Sequence, residues 1–479
     1  MQIGYVRRPI CNLQSKIQNR LHQRIAVIGG VASGPAAAAQ AHRVDPDADV
    51  VLFEQGSDIS YGACEMPYYV AGQIPSDDPL VMLTPEQFEK TRKATVRTRH
   101  HVLAIHPKRC RLDVKDLATG RITEERFDKF ILATGARARL PEGEGSDASN
   151  IFPMRQLEDA RMLKRYLGAH TVQHAVVLGG GYIGVEMAEA LRALDIRVTI
   201  LEPRGTVLHT YLDDYLQPLV HEAVHRHGVI VRQEQAVEFE VDTGGAVQAV
   251  RTDKGEKIGC QVVVAAMGTV PNTALAEAAG LTLGATGALA VDAQMRTNLP
   301  NVWACGDCVE VERLIDRRKV YLPLAPVAFR TARVAATNAA RRGRGAPARF
   351  PGVVGASGVK VFEFEVASVG LRLDEARAAG FDAFVTRIKH WSRVSFYPGA
   401  RPLHVSLVVE RGKGRLLGAG LVGEEGAVLR ADVLVPCLRD GWTVHQIKDL
   451  DLIYTPPFAP SLDPLIVAAN EAAKRVGRG

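Results

Sequence analysis

The chain has 479 residues, which is too long for a single hydrophobic core, so about two or three domains are expected. Hydrophobic residues make up 47% and charged residues 23%, the composition of an ordinary soluble globular protein. The formal net charge of +6 is small for this length and is spread along the chain, which argues against nucleic acid as a partner.

The N-terminal residues and the cysteines bear on the compartment. Residues 1–23 are polar and basic, contain no apolar run long enough for a signal peptide, and are predicted to form a flexible extension. No later stretch holds about 18 uninterrupted apolar residues, so we expect no membrane segment. The seven cysteines are odd in number and mostly far apart, unlike a secreted disulfide framework. A cytoplasmic protein is therefore predicted.

The first recognisable unit is RIAVIGGVASGPAAAAQAHRVDPDADVVLFE, residues 24–54. An apolar strand, a turn with Gly29 and Gly34, an alanine-rich helix and a second strand ending in Glu54 predict a nucleotide-binding βαβ unit. In such a unit the helix N-terminus meets a pyrophosphate, and the terminal acid accepts hydrogen bonds from ribose hydroxyls. Val31 stands where the usual turn has its middle glycine.

Cys64 follows this unit closely, in the run SYGACEMPYY, and has no second cysteine near it. Beside a bound redox nucleotide such as a flavin, a lone thiolate can store oxidising equivalents as a sulfenic acid or as a mixed disulfide with a small thiol. That chemistry limits the substrates to peroxide, oxygen or thiol compounds. The alternative is a structural cysteine in the core, but the neighbouring nucleotide-binding unit favours a redox role.

Further apolar strands run into glycine turns later in the chain. They lie at residues 131–141, which contain Gly135, at residues 262–272, and at residues 301–311, where Asp307 follows a glycine. This repeated pattern of a strand followed by a glycine turn is typical of α/β domains with a ligand at the carboxyl ends of their strands.

A second unit, HAVVLGGGYIGVEMAEALRALDIRVTILE at residues 174–202, repeats the order of the first. It has all three glycines of the turn, Gly179, Gly181 and Gly184, and its second strand ends in Glu202. One glycine turn is a weak signal. Two turns in the same context, each followed by an acid, strongly indicate duplicated dinucleotide binding.

The C-terminal third has a different composition. Cys305 and Cys308 have CxxC spacing, but one pair lacks the second pair that a structural zinc site needs. We interpret them as packing cysteines and predict no metal. The Arg/Gly/Ala/Pro run at residues 341–352 is predicted to be a linker to a separate C-terminal α+β domain.

Together these motifs resemble the pyridine nucleotide-disulfide oxidoreductase family over about residues 24–475. Family members with an internal dithiol carry a second cysteine five positions after the first, where this chain has Tyr69. The chain therefore resembles the single-cysteine branch. That branch contains CoA-disulfide reductases, CoA persulfide or polysulfide reductases, NADH peroxidases and water-forming NADH oxidases.

The resemblance implies an α/β fold with two Rossmann-like dinucleotide-binding domains and a C-terminal α+β dimerisation domain. The FAD-binding domain would be split, with residues 24–150 and 273–340 flanking an NAD(P)-binding domain at residues 151–272. Residues 352–479 would form the dimerisation domain, so a homodimer is expected.

The same resemblance assigns cofactor-binding residues. FAD would be held by Gly29, Gly34, Glu54, Gly135 and Asp307. NADH or NADPH would bind at Gly179, Gly181, Gly184 and Glu202. Tyr182 would cover the flavin until nicotinamide displaces it, and Glu186 would lie on the flavin side of the same helix, with a solvated helix face as the alternative. Glu202 favours NADH because an acid repels a 2′-phosphate, whereas the nearby Arg204 opposes that preference.

Residues around the first turn favour one activity within the branch. Peroxidase and oxidase members commonly have a histidine in this turn, whereas this chain has Val31, Ala32 and Ser33. The sequence GGVASG instead matches the CoA-disulfide type. CoA would be bound by Arg43, Ser60 and Arg92, each of which taken alone is more often a surface residue.

The C-terminal domain is expected to contribute tyrosines to the cysteine of the other subunit. DLIYTPPFAPSLDP, residues 451–464, supplies Tyr454, and SFYPGARPLHV, residues 395–405, supplies Tyr397, where family members have adjacent tyrosines and this chain has Phe396 beside it. With Cys64 these two tyrosines are the predicted catalytic residues.

The predicted function is FAD-dependent reduction, by NADH or NADPH, of CoA disulfide or of CoA persulfide and polysulfide, through a mixed disulfide between Cys64 and CoA. CoA is thus the predicted substrate or covalently held thiol. Two alternatives stay open: an NADH oxidase or peroxidase that uses a sulfenic acid, and a redox-sensing flavoprotein.

Overall fold

The computed structural model describes residues 22–343 and 345–476. Most of the predicted N-terminal extension, including Cys11, therefore lies outside the described residues. Within the described part, no helix is long and apolar enough to cross a membrane.

The first part of the described chain begins as the glycine pattern predicts, with a strand, a helix and a strand. Short 3-10 turns occur at Asp78–Leu80 and Pro107–Arg109. The helices and strands of this part are β1 (Arg24–Ile28), α1 (Ser33–Val44), β2 (Asp49–Phe53), α2 (Met66–Val70), α3 (Pro85–Arg92), β3 (Thr95–Arg97), β4 (His100–His106), β5 (Arg111–Asp116), β6 (Ile122–Arg126), β7 (Lys129–Leu132) and β8 (Ala136–Ala138).

The middle part repeats this order around the second glycine turn. Its elements are β9 (Ile151–Pro153), α4 (Leu157–Ala169), β10 (His174–Leu178), α5 (Tyr182–Arg192), β11 (Arg197–Leu201), α6 (Gln217–Arg226), β12 (Val229–Arg232), β13 (Ala236–Val241), β14 (Val247–Thr252), β15 (Lys257–Gly259), β16 (Val262–Ala265), β17 (Thr269–Pro271) and α7 (Ala274–Ala278).

The last part returns to the first sheet and then forms a separate antiparallel sheet. Its elements are β18 (Val302–Ala304), β19 (Val311–Glu312), β20 (Lys319–Val320), α8 (Ala325–Ala340), β21 (Ala356–Val361), β22 (Phe364–Gly370), α9 (Leu373–Ala378), β23 (Ala383–Trp391), β24 (Pro402–Glu410), β25 (Leu416–Gly423), α10 (Ala427–Asp440), α11 (Val444–Ile447) and α12 (Pro464–Ala473).

Three main sheets organise the molecule. The N-terminal sheet has the order β18-β7-β1-β2-β3, and the central sheet has the order β12-β11-β10-β16-β9; neighbouring strands are parallel in both. Their strands are short, apolar and buried, as expected of parallel sheets covered by helices on both faces. The C-terminal sheet, β21-β22-β25-β24-β23, is antiparallel. The predicted α/β fold with two Rossmann-like sheets is confirmed.

The chain path inserts the central sheet into the N-terminal one. The strands of the central sheet lie between β8 and β17, which pair antiparallel with each other, and β18 then joins β7 in the N-terminal sheet. The chain therefore leaves the N-terminal sheet through β8 and returns to it through β17, and these two strands pair with each other.

A shared hydrophobic cluster joins the central and C-terminal sheets at the helix that follows Cys64. It contains Met66 from α2, Val185 from α5, and Val359 and Val361 from β21. Because these side chains are buried together, the cysteine loop, the helix of the second glycine turn and the first C-terminal strand occupy fixed relative positions.

Candidate active site

One cavity of about 670 Å³ opens at the carboxyl ends of the N-terminal strands. That edge of a parallel sheet is where α/β proteins bind ligands, and the volume is in the range of a ligand pocket. The cavity brings together most of the residues predicted for FAD and CoA. The predicted residues that line it are Gly29, Arg43, Glu54, Ser60, Cys64, Arg92, Gly135 and Asp307.

The first glycine turn has a geometry that only glycine allows. Gly29 has a φ of +113°, and a Cβ added at Gly34 would lie 1.6 Å from the Gly29 carbonyl oxygen. The start of α1 therefore packs directly on the turn. The Glu54 carboxylate accepts hydrogen bonds from the backbone N–H groups of Gly30 at 2.6 Å and Gly56 at 2.7 Å. Burial raises the pKa of Glu54, which these hydrogen bonds oppose.

Asp307 forms an ion pair that the sequence did not reveal. An Arg155 guanidinium nitrogen lies 2.5 Å from Asp307 Oδ2, and Arg155 Nε donates to the Ala136 carbonyl at 3.0 Å. Both Arg155 and Asp307 line the cavity. Arg155 belongs to no motif, so no pattern in the sequence marked it as a functional residue.

The cavity fits a dinucleotide such as FAD. The α1 N-terminus and the turn at Gly29 and Gly30 are suited to binding a pyrophosphate. Glu54 follows the end of β2, where its carboxylate would accept hydrogen bonds from ribose hydroxyls. Asp307 and Arg155 supply polar groups farther along the same wall. When bound there, FAD would supply a two-electron carrier beside Cys64.

Cys64 lies in the turn before α2 and is exposed to this cavity. Among the described cysteines it is the only exposed one; Cys110 is half-buried, and the remainder are buried. The pKa of Cys64 is nevertheless raised, first because the surrounding protein removes water and then because Glu65 and Glu186 are negative. Arg155 opposes this shift, whereas Asp307 adds to it.

The helix that follows Cys64, α2, has only five residues, so its dipole is weak, and burial together with the nearby carboxylates outweighs it. The interpretation of Cys305 and Cys308 as packing cysteines agrees with the structure. Both are completely buried, and Cys308 Sγ donates to the Cys305 carbonyl at 3.2 Å.

The second glycine turn repeats the geometry of the first. Gly179 has a φ of +99°, and a Cβ at Gly184 would lie 2.0 Å from the Gly179 carbonyl oxygen. A Cβ at Gly181 would meet no atom within 4 Å. Since the fold leaves that space open, glycine at this position is better explained by the close approach of a ligand.

Glu202 lies at this turn as the acid of the second unit. It is buried, and its carboxylate accepts hydrogen bonds from Gly180 N at 2.9 Å and Arg204 N at 3.1 Å. The Arg204 side chain is exposed. The backbone therefore holds the acid in place.

Tyr182 and Glu186 lie one helical turn apart on α5. The Tyr182 ring stacks on Tyr211 with 3.9 Å between ring centroids, and its hydroxyl lies 2.5 Å from Ser357 Oγ. Burial, followed by repulsion from Glu189, raises the pKa of Glu186 to about 7. The alternative of a solvated helix face for Glu186 is wrong, because this side chain is half-buried and acts electrostatically on Cys64.

The single chain does not bring the predicted tyrosines to Cys64. Tyr454 and Tyr397 are absent from the described lining of the cavity. Tyr454 is 53% exposed and lies in a segment with exposed apolar side chains, including Ile453 and Phe458; Phe396, beside Tyr397, is also exposed. Two such apolar segments are typical of a surface that contacts another subunit.

Comparison with known proteins gives consistent matches along the chain. A family model described as pyridine nucleotide-disulphide oxidoreductase matches residues 23–332, and the dimerisation-domain model of the same name matches residues 356–465.

Individual relatives include both sulfur reductases and oxidases. An NAD(P)H coenzyme A polysulfide/persulfide reductase of Pyrococcus horikoshii is 33% identical over 94% of this chain and 98% of its own length. A coenzyme A disulfide reductase of Staphylococcus epidermidis is 29% identical over 92% of this chain and 97% of its own. The solved water-forming NADH oxidase of Lactobacillus brevis superposes with a TM-score of 0.89 at 26% identity, over 95% of this chain and 99% of its own. The fold alone therefore does not decide the activity.

The charges around Cys64 lead to a pair of opposite predictions. Glu186→Gln should lower the pKa of Cys64 because it removes a negative neighbour that ionises near pH 7, and Arg155→Gln should raise it because it removes the opposing cation. After treatment with a thiol reductant, the alkylation rate of Cys64 can be followed against pH by peptide mass spectrometry. The midpoint should shift down in the first variant and up in the second.

The exposed residue Glu471 on α12 supplies the control, Glu471→Gln, which should leave the midpoint unchanged. Equal shifts in all three variants, or shifts of the opposite sign, would contradict the assigned electrostatics.

Proposed function

The chain belongs to the pyridine nucleotide-disulphide oxidoreductase family, as its motifs predict, and we propose that it uses FAD and NADH or NADPH to reduce CoA disulfide or CoA persulfide and polysulfide. One observation carries this proposal. In the part of the chain that the structure describes, Cys64 carries the one exposed thiol, and it lines the same cavity as the first glycine turn and as arginines that form no ion pair with a described carboxylate.

Those cations support an anionic substrate. Arg43 and Arg92 line the cavity, and in the described part of the chain neither forms an ion pair; Arg43 bonds only to Gln40. Arg333, which belongs to no motif, lines the same cavity and is likewise unpaired among the described residues. Ser60 adds a hydroxyl. Unpaired arginines at one cavity are well suited to the phosphates of a nucleotide thiol such as CoA.

The reaction that we propose begins at Cys64. Its thiolate attacks one sulfur of CoA disulfide, the sulfur–sulfur bond breaks, and one CoA thiolate leaves while a mixed disulfide forms between Cys64 and CoA. A hydride from NADH or NADPH supplies the two electrons that later cleave this mixed disulfide, which releases the second CoA thiolate and restores the Cys64 thiolate. With a CoA persulfide, the Cys64 thiolate attacks the terminal sulfur, the sulfur–sulfur bond breaks and CoA thiolate leaves, so that Cys64 becomes a persulfide. The two electrons from NADH or NADPH then cleave that persulfide, which releases hydrosulfide and restores the Cys64 thiolate.

Proton transfer is assigned to the other subunit. Tyr454 of the partner subunit, aided by Tyr397 of the partner subunit, would protonate the departing CoA thiolate. The exposed apolar side chains around both tyrosines support a homodimer in which each cavity is completed by the second chain.

The residues that line the cavity bear on the two alternative functions, an NADH oxidase or peroxidase and a redox-sensing flavoprotein. Val31, Ala32 and Ser33 form the turn, and none of the described residues that line the cavity is a histidine. This supports sulfur chemistry over an NADH oxidase or peroxidase that uses a Cys64 sulfenic acid. A redox-sensing flavoprotein would bind the same cofactors but would show little steady-state turnover with any disulfide.

Cys64→Ser should reduce NADH consumption with CoA disulfide or CoA persulfide at least 100-fold, because serine cannot form the mixed disulfide. FAD should remain bound, since the first glycine turn is unchanged. Steady-state absorbance at 340 nm and the flavin spectrum measure both effects. Cys110→Ser, at a half-buried cysteine outside the cavity, is the control and should keep wild-type activity.

In the wild-type protein, hydrogen peroxide and oxygen should be poorer acceptors than the CoA compounds. Faster turnover with either oxidant would establish the oxidase or peroxidase, and no turnover with any acceptor would favour the sensor.

NADH should be preferred over NADPH, because the buried and backbone-held Glu202 is placed to repel a 2′-phosphate. Glu202→Gln should reduce the ratio of kcat/KM for NADH over that for NADPH by about tenfold, a free-energy difference of about 1.4 kcal/mol. Arg204→Gln is the matched variant and should raise the same ratio. A wild-type preference for NADPH would mean that Arg204 outweighs Glu202.

Mixed dimers test the partner tyrosine. Tyr454→Phe should slow disulfide reduction about tenfold or more while leaving flavin reduction by NADH unchanged, since the hydroxyl is assigned to the leaving thiolate. Exchange of subunits between Cys64→Ser and Tyr454→Phe dimers should then restore one wild-type site in each heterodimer. If confirmed subunit exchange gives no recovery, the two residues do not act across the dimer.

A further inference from the structure

Tyr182 is held at two points by residues from different parts of the fold. Its ring stacks on Tyr211, and its hydroxyl shares a 2.5 Å hydrogen bond with Ser357 Oγ on β21, the first strand of the C-terminal sheet. The hydroxyl is well buried, which raises the pKa of Tyr182. The side chain is therefore fixed, and any movement of it has to break the bond to Ser357.

The bond to Ser357 is part of a larger contact between the β21–β22 hairpin and the helices of the central sheet. Glu189 on α5 accepts a hydrogen bond from Phe362 N at 2.7 Å and pairs with Lys360. At the end of α6, His227 stacks on the ring of Phe362 with 4.1 Å between centroids. Because several contacts hold the hairpin, the position of Ser357 does not depend on Tyr182.

Helical spacing places Tyr182 on the side of α5 that faces Cys64. Glu186 is four residues further along, so both side chains project from the same face of the helix. Glu186 acts on Cys64 electrostatically, and α2, which follows Cys64, packs with α5 in the shared hydrophobic cluster. Tyr182 is the first residue of α5, directly after Gly181 of the second glycine turn, and it packs against the same hydrophobic cluster as Ala63, the neighbour of Cys64. A nicotinamide ring that extends from that turn toward Cys64 would therefore meet this side chain.

We propose that Ser357 is a positioning residue that holds Tyr182 in its closed position, so that the C-terminal domain sets the free energy required to admit the nicotinamide ring. This inference rests on the proposed function, because it requires that NAD(P)H bind at the second glycine turn. Loss of the Ser357 hydroxyl destabilises only the closed position. Ligands that need Tyr182 to move then bind more tightly, and ligands that leave it in place are unaffected.

A comparison of two ligands tests this inference without catalysis. NAD⁺ carries the nicotinamide ring, whereas ADP-ribose lacks it and occupies only the rest of the dinucleotide site. Dissociation constants for both are measured by isothermal titration calorimetry on the FAD-loaded dimer. In Ser357→Ala, NAD⁺ should bind about threefold to tenfold more tightly, the range expected for one lost hydrogen bond, and ADP-ribose should bind as in wild type.

Matched variants separate this role from a general change in the hairpin. Ser357→Thr keeps the hydroxyl and should restore the wild-type constants. Ser368→Ala, at the residue paired with Ser357 across the same hairpin, should have no effect. Tyr182→Phe removes the other half of the bond and should tighten NAD⁺ binding to a similar extent, with no further gain when it is combined with Ser357→Ala.

The outcomes separate a failure of the Ser357 role from a failure of the proposed function. Equal shifts for NAD⁺ and ADP-ribose, or no shift for either, would overturn the role of Ser357 while leaving the nucleotide site intact. Absence of binding by both ligands to the wild-type dimer would overturn this inference together with the proposed function.

Discussion

Both nucleotide-binding units depend on one backbone contact that only glycine allows. A Cβ at Gly34 or at Gly184 would overlap the carbonyl oxygen of Gly29 or Gly179. Since no side chain intervenes, α1 and α5 begin directly at the carboxyl ends of their strands, with their N-terminal N–H groups directed at the same edge. Glu54 and Glu202 end the neighbouring strands at that edge and hold the turns by hydrogen bonds. The cavity and the second turn follow from this arrangement.

The chemistry of Cys64 depends on a balance of charges around that cavity. Partial burial and the carboxylates of Glu65 and Glu186 favour the thiol, and Arg155 is the cation that opposes them. Asp307 in turn is paired with Arg155. In the protein alone the thiol form therefore prevails.

The C-terminal sheet takes part in the site in two ways. Its first hairpin packs on the helices of the central sheet and shares a hydrophobic cluster with the helix after Cys64. Outside its strands, the C-terminal domain exposes apolar side chains around Tyr454 and Tyr397. A domain that matches a dimerisation model is thus in contact with the nucleotide-binding part of its own chain, and it carries the exposed apolar side chains that we propose a second chain covers.

The sequence by itself determined the features that are local in the chain. The two glycine turns, the apolar strands, the terminal acids and the lone cysteine each lie within a few dozen residues, so periodicity and glycine spacing were enough to predict two nucleotide-binding βαβ units. The family resemblance that these motifs carry then supplied the other residues expected at the cavity. Only the tertiary structure decided which distant side chains meet. Arg155 pairs with Asp307 across 152 residues, and Tyr182 meets Ser357 across 175. It also decided the direction in which the pKa of Cys64 shifts. Burial raises that pKa first, and charges from separate segments add to or oppose the shift, so no local pattern in the sequence could have given its direction.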